Sequence, residues 1–171
     1  MAIADDVQIH PSAYVAGVGH SEESYEPGTC EIGARTRIWH HAQVRSGAVI
    51  GADCVIGKGV YVDTGVCIGD RCKLQNGVNI YNGVILGDEV FVGPGVQFTN
   101  DKHPRAVGDW TITPTIVESG VAIGAGAVIV CGVTLGMGCR IGAGAVVTKD
   151  VEPNACVVGN PAYTLDPIGA F

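Results

Sequence analysis

A six-residue repeat decides the fold of this chain, and it is clearest in the stretch Val44-Arg-Ser-Gly-Ala-Val-Ile50-Gly-Ala-Asp-Cys-Val-Ile56-Gly-Lys-Gly-Val-Tyr-Val62-Asp-Thr-Gly-Val-Cys-Ile68. An aliphatic residue returns at every sixth position, and glycine often follows it. The same phase continues on both sides, through the anchors Ile32, Ile38, Leu74, Ile80, Leu86, Val92 and Phe98, and then Val117, Ile123, Ile129, Leu135, Ile141 and Val147. A period of six fits neither one helix face nor a flat two-faced strand, but it is typical of a parallel β-helix with three hexapeptides per coil. The sequence therefore predicts an all-β fold in which the anchors point into a triangular prism.

The composition agrees with a single narrow solenoid. The 171 residues are enough for one domain with a continuous core, and 47% of them are hydrophobic while 16% are charged. The net charge of -7 and the lack of any basic block argue against general nucleic-acid binding. A few well-placed Lys or Arg side chains can still bind an anionic substrate on such a protein.

The cysteines and the apolar runs bear on location. There are seven cysteines, an odd number, and no Cys-x-x-Cys pair. Cys30, Cys54, Cys72 and Cys139 occupy small-residue positions of the repeat, so we expect them to be reduced core residues. No signal peptide and no apolar run of membrane length is evident. A cytoplasmic protein without a membrane span is therefore expected.

The repeat divides the chain into segments of one β-helix domain, 1–171, of about six to seven coils. An irregular N-terminal cap is predicted at 1–31, with one degenerate repeat from Ile9 to Val15 and a polar excursion from Gly17 to Gly28. Lower coils at 32–98, an inserted active-site loop at 99–116, upper coils at 117–152 and an extended C-terminal tail at 153–171 follow. The loop is placed there because Phe98 and Val117 are 19 residues apart, which breaks the phase.

Residues 18 apart should stack vertically, and this makes one corner of the prism unusually polar. Its columns are Gln43, Tyr61, Asn79 and Gln97; Arg45, Asp63, Tyr81 and Thr99; and Ser46, Thr64, Asn82 and Asn100. The inserted loop leaves the coil at this corner, so the corner is the best predicted site. The alternative is a solvated ladder of side chains that only satisfies backbone groups at the turns.

The sequence lacks complete motifs for phosphate, dinucleotide or metal binding. The segment from Gly51 to Lys58 lacks both the spacing and the Ser or Thr of a phosphate loop, and no dinucleotide-binding fingerprint is present. His40 and His41 are adjacent, so in a strand they point to different sides and cannot chelate one metal together. No metal is expected.

The sixfold pattern resembles the left-handed β-helix acyltransferases, which are usually trimers that use acetyl coenzyme A. Particular stretches are similar to the sugar-nucleotide 3-N-acetyltransferases, among them Ile38-Trp39-His40, Leu74-Gln75-Asn76, Phe98-Thr99-Asn100-Asp101, Pro104-Arg105 and Val158-Gly159-Asn160-Pro161-Ala162. Those enzymes acetylate UDP-2-acetamido-3-amino-2,3-dideoxyglucuronate or dTDP-3-amino-3,6-dideoxyhexoses. The resemblance covers about residues 32–162. It departs at Gly77, where the glucuronate enzymes read Gln-Asn-Asn.

The resemblance implies a role for Asn100, and the chemistry of the residues near it suggests roles for others. Asn100 would hold the acceptor amine, as the asparagine of the family's Phe-Thr-Asn motif does. His103 is a candidate general base and is otherwise an exposed loop histidine. Asp101 could orient His103 or bind a sugar hydroxyl, and Arg105 could bind a diphosphate. The residues expected to contact sugar or base are Trp39, His40, Asn76, Tyr81 and Asn82.

The upper coils carry the expected site for acetyl coenzyme A. Small residues around Ala125 and Ala143 would let the pantetheine arm approach the backbone, Lys149 would meet the 3′-phosphate, and Asn160 and Pro161 would wall the adenine. The alternative for the small residues is plain coil sterics. The resemblance thus implies a trimeric N-acetyltransferase with sites between subunits, acting on a UDP- or dTDP-linked amino sugar. The remaining alternatives are an acetyltransferase for an amino acid or a free amino sugar, and a non-enzymatic β-helix scaffold.

Overall fold

Three parallel sheets wrap around one apolar core in the computed structural model of the chain, which describes residues 3–18 and 28–165. Sheet A contains β1 (Gln8–Ile9), β4 (Arg37–Ile38), β7 (Val55–Ile56), β10 (Lys73–Leu74), β13 (Phe91–Val92), β16 (Ala122–Ile123), β19 (Arg140–Ile141), β21 (Cys156–Val158) and β22 (Tyr163–Thr164). Sheet B contains β2 (Tyr14–Val15), β5 (Gln43–Val44), β8 (Tyr61–Val62), β11 (Asn79–Ile80), β14 (Gln97–Phe98), β17 (Val128–Ile129) and β20 (Val146–Val147). Sheet C contains β3 (Glu31–Ile32), β6 (Val49–Ile50), β9 (Cys67–Ile68), β12 (Val84–Leu86), β15 (Thr115–Val117) and β18 (Thr134–Leu135).

The strand register confirms the parallel β-helix. The chain visits the sheets in the order A, B, C, and each strand pairs with the strand one coil later, as Val49 does with Cys67 and Gln43 with Tyr61. We name the three edges of the prism by the sheets that they join: the AB edge, the BC edge and the CA edge. Because partners are 18 residues apart in the regular coils, the vertical columns of the sequence are columns of the structure.

The anchors are buried because each two-residue strand points its second side chain inward. Ile50, Ile56 and Val62 are at most 2% exposed, whereas the preceding residue of each strand faces outward. The predicted core cysteines Cys30, Cys54, Cys72 and Cys139 are free and buried, as expected. Burial of this aliphatic column along the whole stack is the main stabilising force of the fold.

The CA edge is held by residues in the left-handed backbone region. Arg35, Asp53, Arg71 and Glu89 all have φ between 56° and 59°, and they stack as two ion pairs. Arg35 contacts Asp53 at 2.6 Å, and Arg71 contacts Glu89 at 2.9 Å. These charged side chains of the CA edge are therefore paired with one another.

The long loop leaves the BC edge and the coil closes behind it. Asn100 accepts a hydrogen bond from the backbone N–H of Thr113 at 2.8 Å, which joins the two ends of the loop. Leu86 pairs with Val117 across the insertion, so β12 and β15 remain neighbours. Strand β15 begins at Thr115, so the last two residues of the predicted loop, 115 and 116, belong to the strand.

The two ends of the stack differ. At the N-terminal end, β1 and β2 extend sheets A and B by pairing with β4 and β5, so the predicted degenerate repeat is a real half-coil. Of the predicted excursion at 17–28, residues 19–27 lie outside the described residues. At the other end, β21 adds to sheet A and β22 folds back antiparallel on it. Residues 166–171 also lie outside the described part. In the ranges that the structure describes, no helix is long and apolar enough to cross a membrane.

Candidate functional site

A buried carboxylate organises the lower part of the BC edge. Asp63 is 7% exposed, and its Oδ1 accepts hydrogen bonds from Arg45 at 2.7 Å, from the Tyr61 hydroxyl at 3.1 Å and from the Thr64 backbone N–H at 2.8 Å. Its Oδ2 accepts from the backbone N–H of Asn82 at 3.2 Å. Burial raises the pKa of the Tyr61 hydroxyl, although its contact with Arg45 opposes this shift. Asp63 is thus a fully engaged structural group that holds the turn carrying Asn82.

Asn100 lies higher on this edge, at the base of the loop. Asn82 lies one coil before Asn100 in the same column, and Tyr81 is the residue that precedes Asn82 in the sequence. The centroid of the Tyr81 ring lies 5.5 Å from that of the Tyr61 ring. The backbone of Asn100 is fixed by Thr113, while its side-chain amide has no hydrogen-bond partner among residues 3–18 and 28–165. Its half-buried amide is free to bind a ligand.

The loop is anchored to the coil on both sides. The methyl group of Ile112 lies over Gly83, and the side chain of Lys102 lies over Gly132. Neither glycine has room for a side chain, since a Cβ on Gly83 would lie 2.6 Å from Ile112 Cγ2. These two contacts hold the loop against the BC edge.

The predicted loop residues are placed less tightly. The carboxylate of Asp101 accepts a hydrogen bond from the backbone N–H of His103 at 2.8 Å, which forms a local turn. Asp101 therefore positions the His103 backbone. His103 and Arg105 are exposed, and both side chains are available to a ligand beside the loop.

A second cluster of predicted residues lies on the AB edge. A groove of about 300 Å³ is lined there by Trp39, His40, Val55, Gly57, Lys58, Lys73, Leu74, Gln75 and Asn76. We call it the lower groove. The Oδ1 atom of Asn76 accepts a hydrogen bond from the Lys58 backbone N–H at 3.0 Å, so only its amide nitrogen is available to a ligand.

His40 is part of a histidine cluster. Its ring centroid lies 3.6 Å from that of His10, and His10 Nδ1 lies 2.9 Å from Ser12 Oγ. Desolvation lowers the pKa of His10, and the nearby charges of protonated His40 and His41 lower it further. The close contact of the two rings, which are tilted by 32°, therefore favours the neutral imidazole of His10. In the described ranges, no group of three or more His, Cys, Asp or Glu side chains could hold a metal ion.

A third feature is an apolar groove higher on sheet A, which we call the upper groove. It has a volume of about 350 Å³ and is lined by Phe91, Ala122, Ile123, Gly124, Arg140, Ile141, Gly142, Ala143 and Cys156. Ala143 is the predicted cofactor residue that lines it, and Ala125 lies one coil below Ala143 on the AB edge. Asn160 and Pro161 follow β21 and cover the end of β20, where the Ala162 N–H donates to Val146 O at 2.8 Å. Lys149 is exposed on the BC edge, apart from these residues.

The predicted residues therefore fall on two edges of the prism. Asn100, Asp101, His103, Arg105, Tyr81, Asn82 and Lys149 lie at or beside the BC edge, and Trp39, His40, Asn76, Ala125 and Ala143 lie on the AB edge. The sequence prediction missed Lys73 and Arg140 as groove residues. Both are the outward residue of a sheet A strand, and the 18-residue spacing that runs from Arg37 to Lys73 would have placed them on that face.

The family is shown by the repeat itself. The bacterial transferase hexapeptide family (six repeats) matches residues 29–64, 66–100 and 114–149, and the hexapeptide repeat of succinyl-transferase matches residues 47–82. The chain belongs to the bacterial transferase hexapeptide family. Its fold is the left-handed parallel β-helix, which confirms the predicted fold class.

Named relatives are matched over part of their length. A candidate acetyltransferase of Schizosaccharomyces pombe is 43% identical over 82 residues, which is 45% of this chain and 40% of that protein. Across the first curated relatives, the matched part is 22% to 40% of the relative's own length.

Solved structures share the fold. A hexapeptide-repeat acetyltransferase of Vibrio cholerae, in complex with acetyl coenzyme A, superimposes with a TM-score of 0.65 at 29% identity and covers 70% of each chain. The GDP-perosamine N-acetyltransferase of Caulobacter crescentus superimposes with a TM-score of 0.53 at 22% identity, over 97% of this chain and 57% of that one. At this identity the second likeness concerns the fold alone.

Proposed function

We propose that this protein transfers an acetyl group from acetyl coenzyme A to the 3-amino group of a nucleotide-linked amino sugar, with UDP or dTDP as the nucleotide. Acetyl transfer is supported by family membership and by the acetyl coenzyme A bound to the Vibrio cholerae relative. The amino-sugar acceptor is supported by the resemblance of the stretches around Asn100 and Asn160 to the sugar-nucleotide 3-N-acetyltransferases.

The observation that carries the proposal is the position of Asn100. Its backbone is fixed by Thr113 at the point where the loop leaves the most polar edge, and its amide is unpaired in the described structure. A side chain held in this way can bind an amine without first breaking a contact within the protein. Pre-organised groups of this kind lower the barrier to acyl transfer by aligning the nucleophile.

The reaction needs the acceptor amine in its neutral form. The amide oxygen of Asn100 would accept a hydrogen bond from this amine and direct its lone pair at the thioester carbonyl. The new C–N bond forms as the carbonyl becomes tetrahedral, and collapse of this intermediate breaks the C–S bond. The proton lost by the amine ends on the coenzyme A thiolate, either directly or through His103 in the role of general base.

Coenzyme A would occupy the upper coils. The upper groove combines an apolar wall with the small residues Gly142 and Ala143, which let a pantetheine arm lie close to the backbone. Ala125 extends this surface downward, and Asn160 with Pro161 would wall the adenine. Lys149 lies on the BC edge, so it would meet the 3′-phosphate only from the neighbouring subunit of a trimer.

A homotrimer would bring the two edges together. Within one protomer the loop with Asn100 is on the BC edge, whereas Trp39, His40 and the upper groove belong to sheet A and the AB edge. Threefold packing of a prism sets an edge of one subunit against a different edge of the next. Each site would then take its loop from one subunit and its grooves from another.

The test is acetyl transfer by the purified chain to a panel of acceptors, followed by mass spectrometry of the product. We expect an N-acetylated UDP- or dTDP-amino sugar, and a loss in kcat/KM of at least about tenfold for Asn100→Ala, the cost of one aligned hydrogen bond. The Asn100→Ala melting temperature should not change, because the side chain has no partner in the described protein. If the chain acetylates only a free amino sugar or an amino acid, the proposed nucleotide-linked acceptor is wrong. If the chain does not bind acetyl coenzyme A, a non-enzymatic scaffold is favoured.

A further inference from the structure

The lower groove has a composition that the acetyl-transfer reaction does not require. Trp39 is a large aromatic side chain that remains 46% exposed at its rim. Lys58 and Lys73 line the groove from two successive coils, and the amide residues Gln75 and Asn76 line it as well. The groove therefore offers a flat apolar surface beside two cations and a set of amide donors.

The two lysines stand out against the charge pattern of the rest of the chain. The net charge is -7, and Arg35, Arg45 and Arg71 are each paired with a carboxylate. Lys58 and Lys73 are exposed, have no carboxylate partner within residues 3–18 and 28–165, and share a groove that no acidic side chain lines. Two uncompensated ammonium groups that line one groove repel each other, and an anion bound in that groove reduces the repulsion.

The surface next to the lower groove also combines Trp39 with a cationic side chain. A second groove, of about 480 Å³, shares Trp39 with the lower groove and is lined by His10, Pro11, Arg37 and the strand residues around them. Arg37 is exposed there and is likewise unpaired in the described structure. Trp39 thus lines both grooves, of which the lower one holds Lys58 and Lys73 and the second one holds Arg37.

We propose that the lower groove binds the nucleoside diphosphate of the acceptor, with the base against the Trp39 ring and the pyrophosphate between Lys58 and Lys73. This rests on the proposed function. Base stacking on an exposed indole tolerates different bases, and lysine binds phosphate as a point charge. The amide groups of Gln75 and Asn76 are placed to contact the base edge or the ribose.

Coenzyme A also carries a nucleotide with phosphates, so the same chemistry has a second source. The upper groove argues against coenzyme A in the lower groove. The apolar wall of the upper groove and its single cation, Arg140, match a pantetheine arm, so the groove with two lysines remains for the nucleotide of the acceptor. The inference therefore assigns the lower groove to a pyrimidine nucleoside diphosphate rather than to the adenosine phosphates of coenzyme A.

Direct binding tests this without acetyl transfer. The chain has two tryptophans, so a Trp110→Phe variant leaves Trp39 as the sole indole reporter. Titration with UDP or dTDP should change Trp39 fluorescence, and the affinity should fall as salt is raised, since the cations are exposed. Adenosine 3′,5′-bisphosphate, a coenzyme A fragment, should not compete.

Variants locate the site. Lys58→Gln with Lys73→Gln should weaken nucleotide binding at least about tenfold, as expected for two lost charge contacts. Trp39→Phe should retain more binding than Trp39→Ala. Arg71→Gln is the matched control, because it removes one exposed cation on the CA edge and should leave binding unchanged.

The outcomes separate this inference from the proposed function. No binding of UDP or dTDP, displacement by the bisphosphate, or equal weakening by Arg71→Gln would overturn the inference. Acetyl transfer to a nucleotide-linked amino sugar that is insensitive to the double lysine variant would overturn the inference and leave the proposed function standing. Nucleotide binding lost in the double variant, without any acetyl transfer, would support the inference and reject the proposed function.

Discussion

Asn100 and His103 are three residues apart but are held by very different means. Asn100 sits in the regular coil and its carbonyl is bonded to Thr113, so its position is set by the strand register. His103 is exposed in the loop, and the only contact that orients it in the described structure is between its own backbone N–H and Asp101. Asn100 is thus suited to precise alignment, and His103 to a proton transfer that tolerates movement.

This difference gives a prediction for His103. If it takes the proton from the amine, then its imidazole must be present for the step to run at its full rate. His103→Asn should lower kcat, which steady-state kinetics of the variant and the wild type at the same neutral pH would record. An unchanged kcat in the variant would mean that the proton leaves without His103.

At the residue scale, the sequence predicts positions better than contacts. The 18-residue columns correctly placed Arg45, Asp63 and Tyr81 on one edge. They could not show that Asp63 is buried and fully bonded, because this depends on side chains from three coils meeting at one point. They also could not show that the side-chain oxygen of Asn76 accepts a hydrogen bond from the backbone N–H of Lys58.

At the scale of elements, the position of the loop can be changed without unfolding the β-helix. Gly83 has φ of 95° and lies beneath Ile112, so a methyl group there would displace the loop. Gly83→Ala should lower kcat/KM at least about tenfold by moving the residues beside Asn100 while the β-helix remains folded. Circular dichroism and steady-state kinetics on the same sample would check this.

The control for that variant is Gly120→Ala on the CA edge. Gly120 has φ of 72°, and a methyl group there would have no atom closer than 3.9 Å. Both variants carry the cost of a left-handed alanine, about 1–2 kcal/mol, but only one touches the loop. Equal loss of activity in the two would show that strain in the coil, and not loop position, is responsible.

The elements that the sequence predicts well are those with a period. The hexapeptide repeat located the strands from β3 to β20, since each anchor must enter the core. It gave no indication of β22, because the antiparallel return at Tyr163–Thr164 has no repeat and depends on an open edge of β21. The loop conformation was equally beyond the pattern, since it rests on single contacts such as Ile112 with Gly83.

For the whole molecule, the separation of the two edges has a consequence that can be measured. Asn100 belongs to the BC edge and Trp39 to the AB edge, so the proposed site between subunits would take one from each. Asn100→Ala and Trp39→Ala should each be impaired alone, since every site then lacks one group. In a mixed trimer, some sites combine the intact edge of one variant with the intact edge of the other.

Co-expression of the two variants with different affinity tags, followed by isolation of the doubly tagged species, would test this. Random assembly of a cyclic trimer gives both intact edges at about a quarter of all sites, and rather more once unmixed trimers are removed. Activity should therefore return to roughly that fraction of the wild-type value per site. A chain whose sites lie within one protomer would give no recovery, because every protomer would still carry one defect.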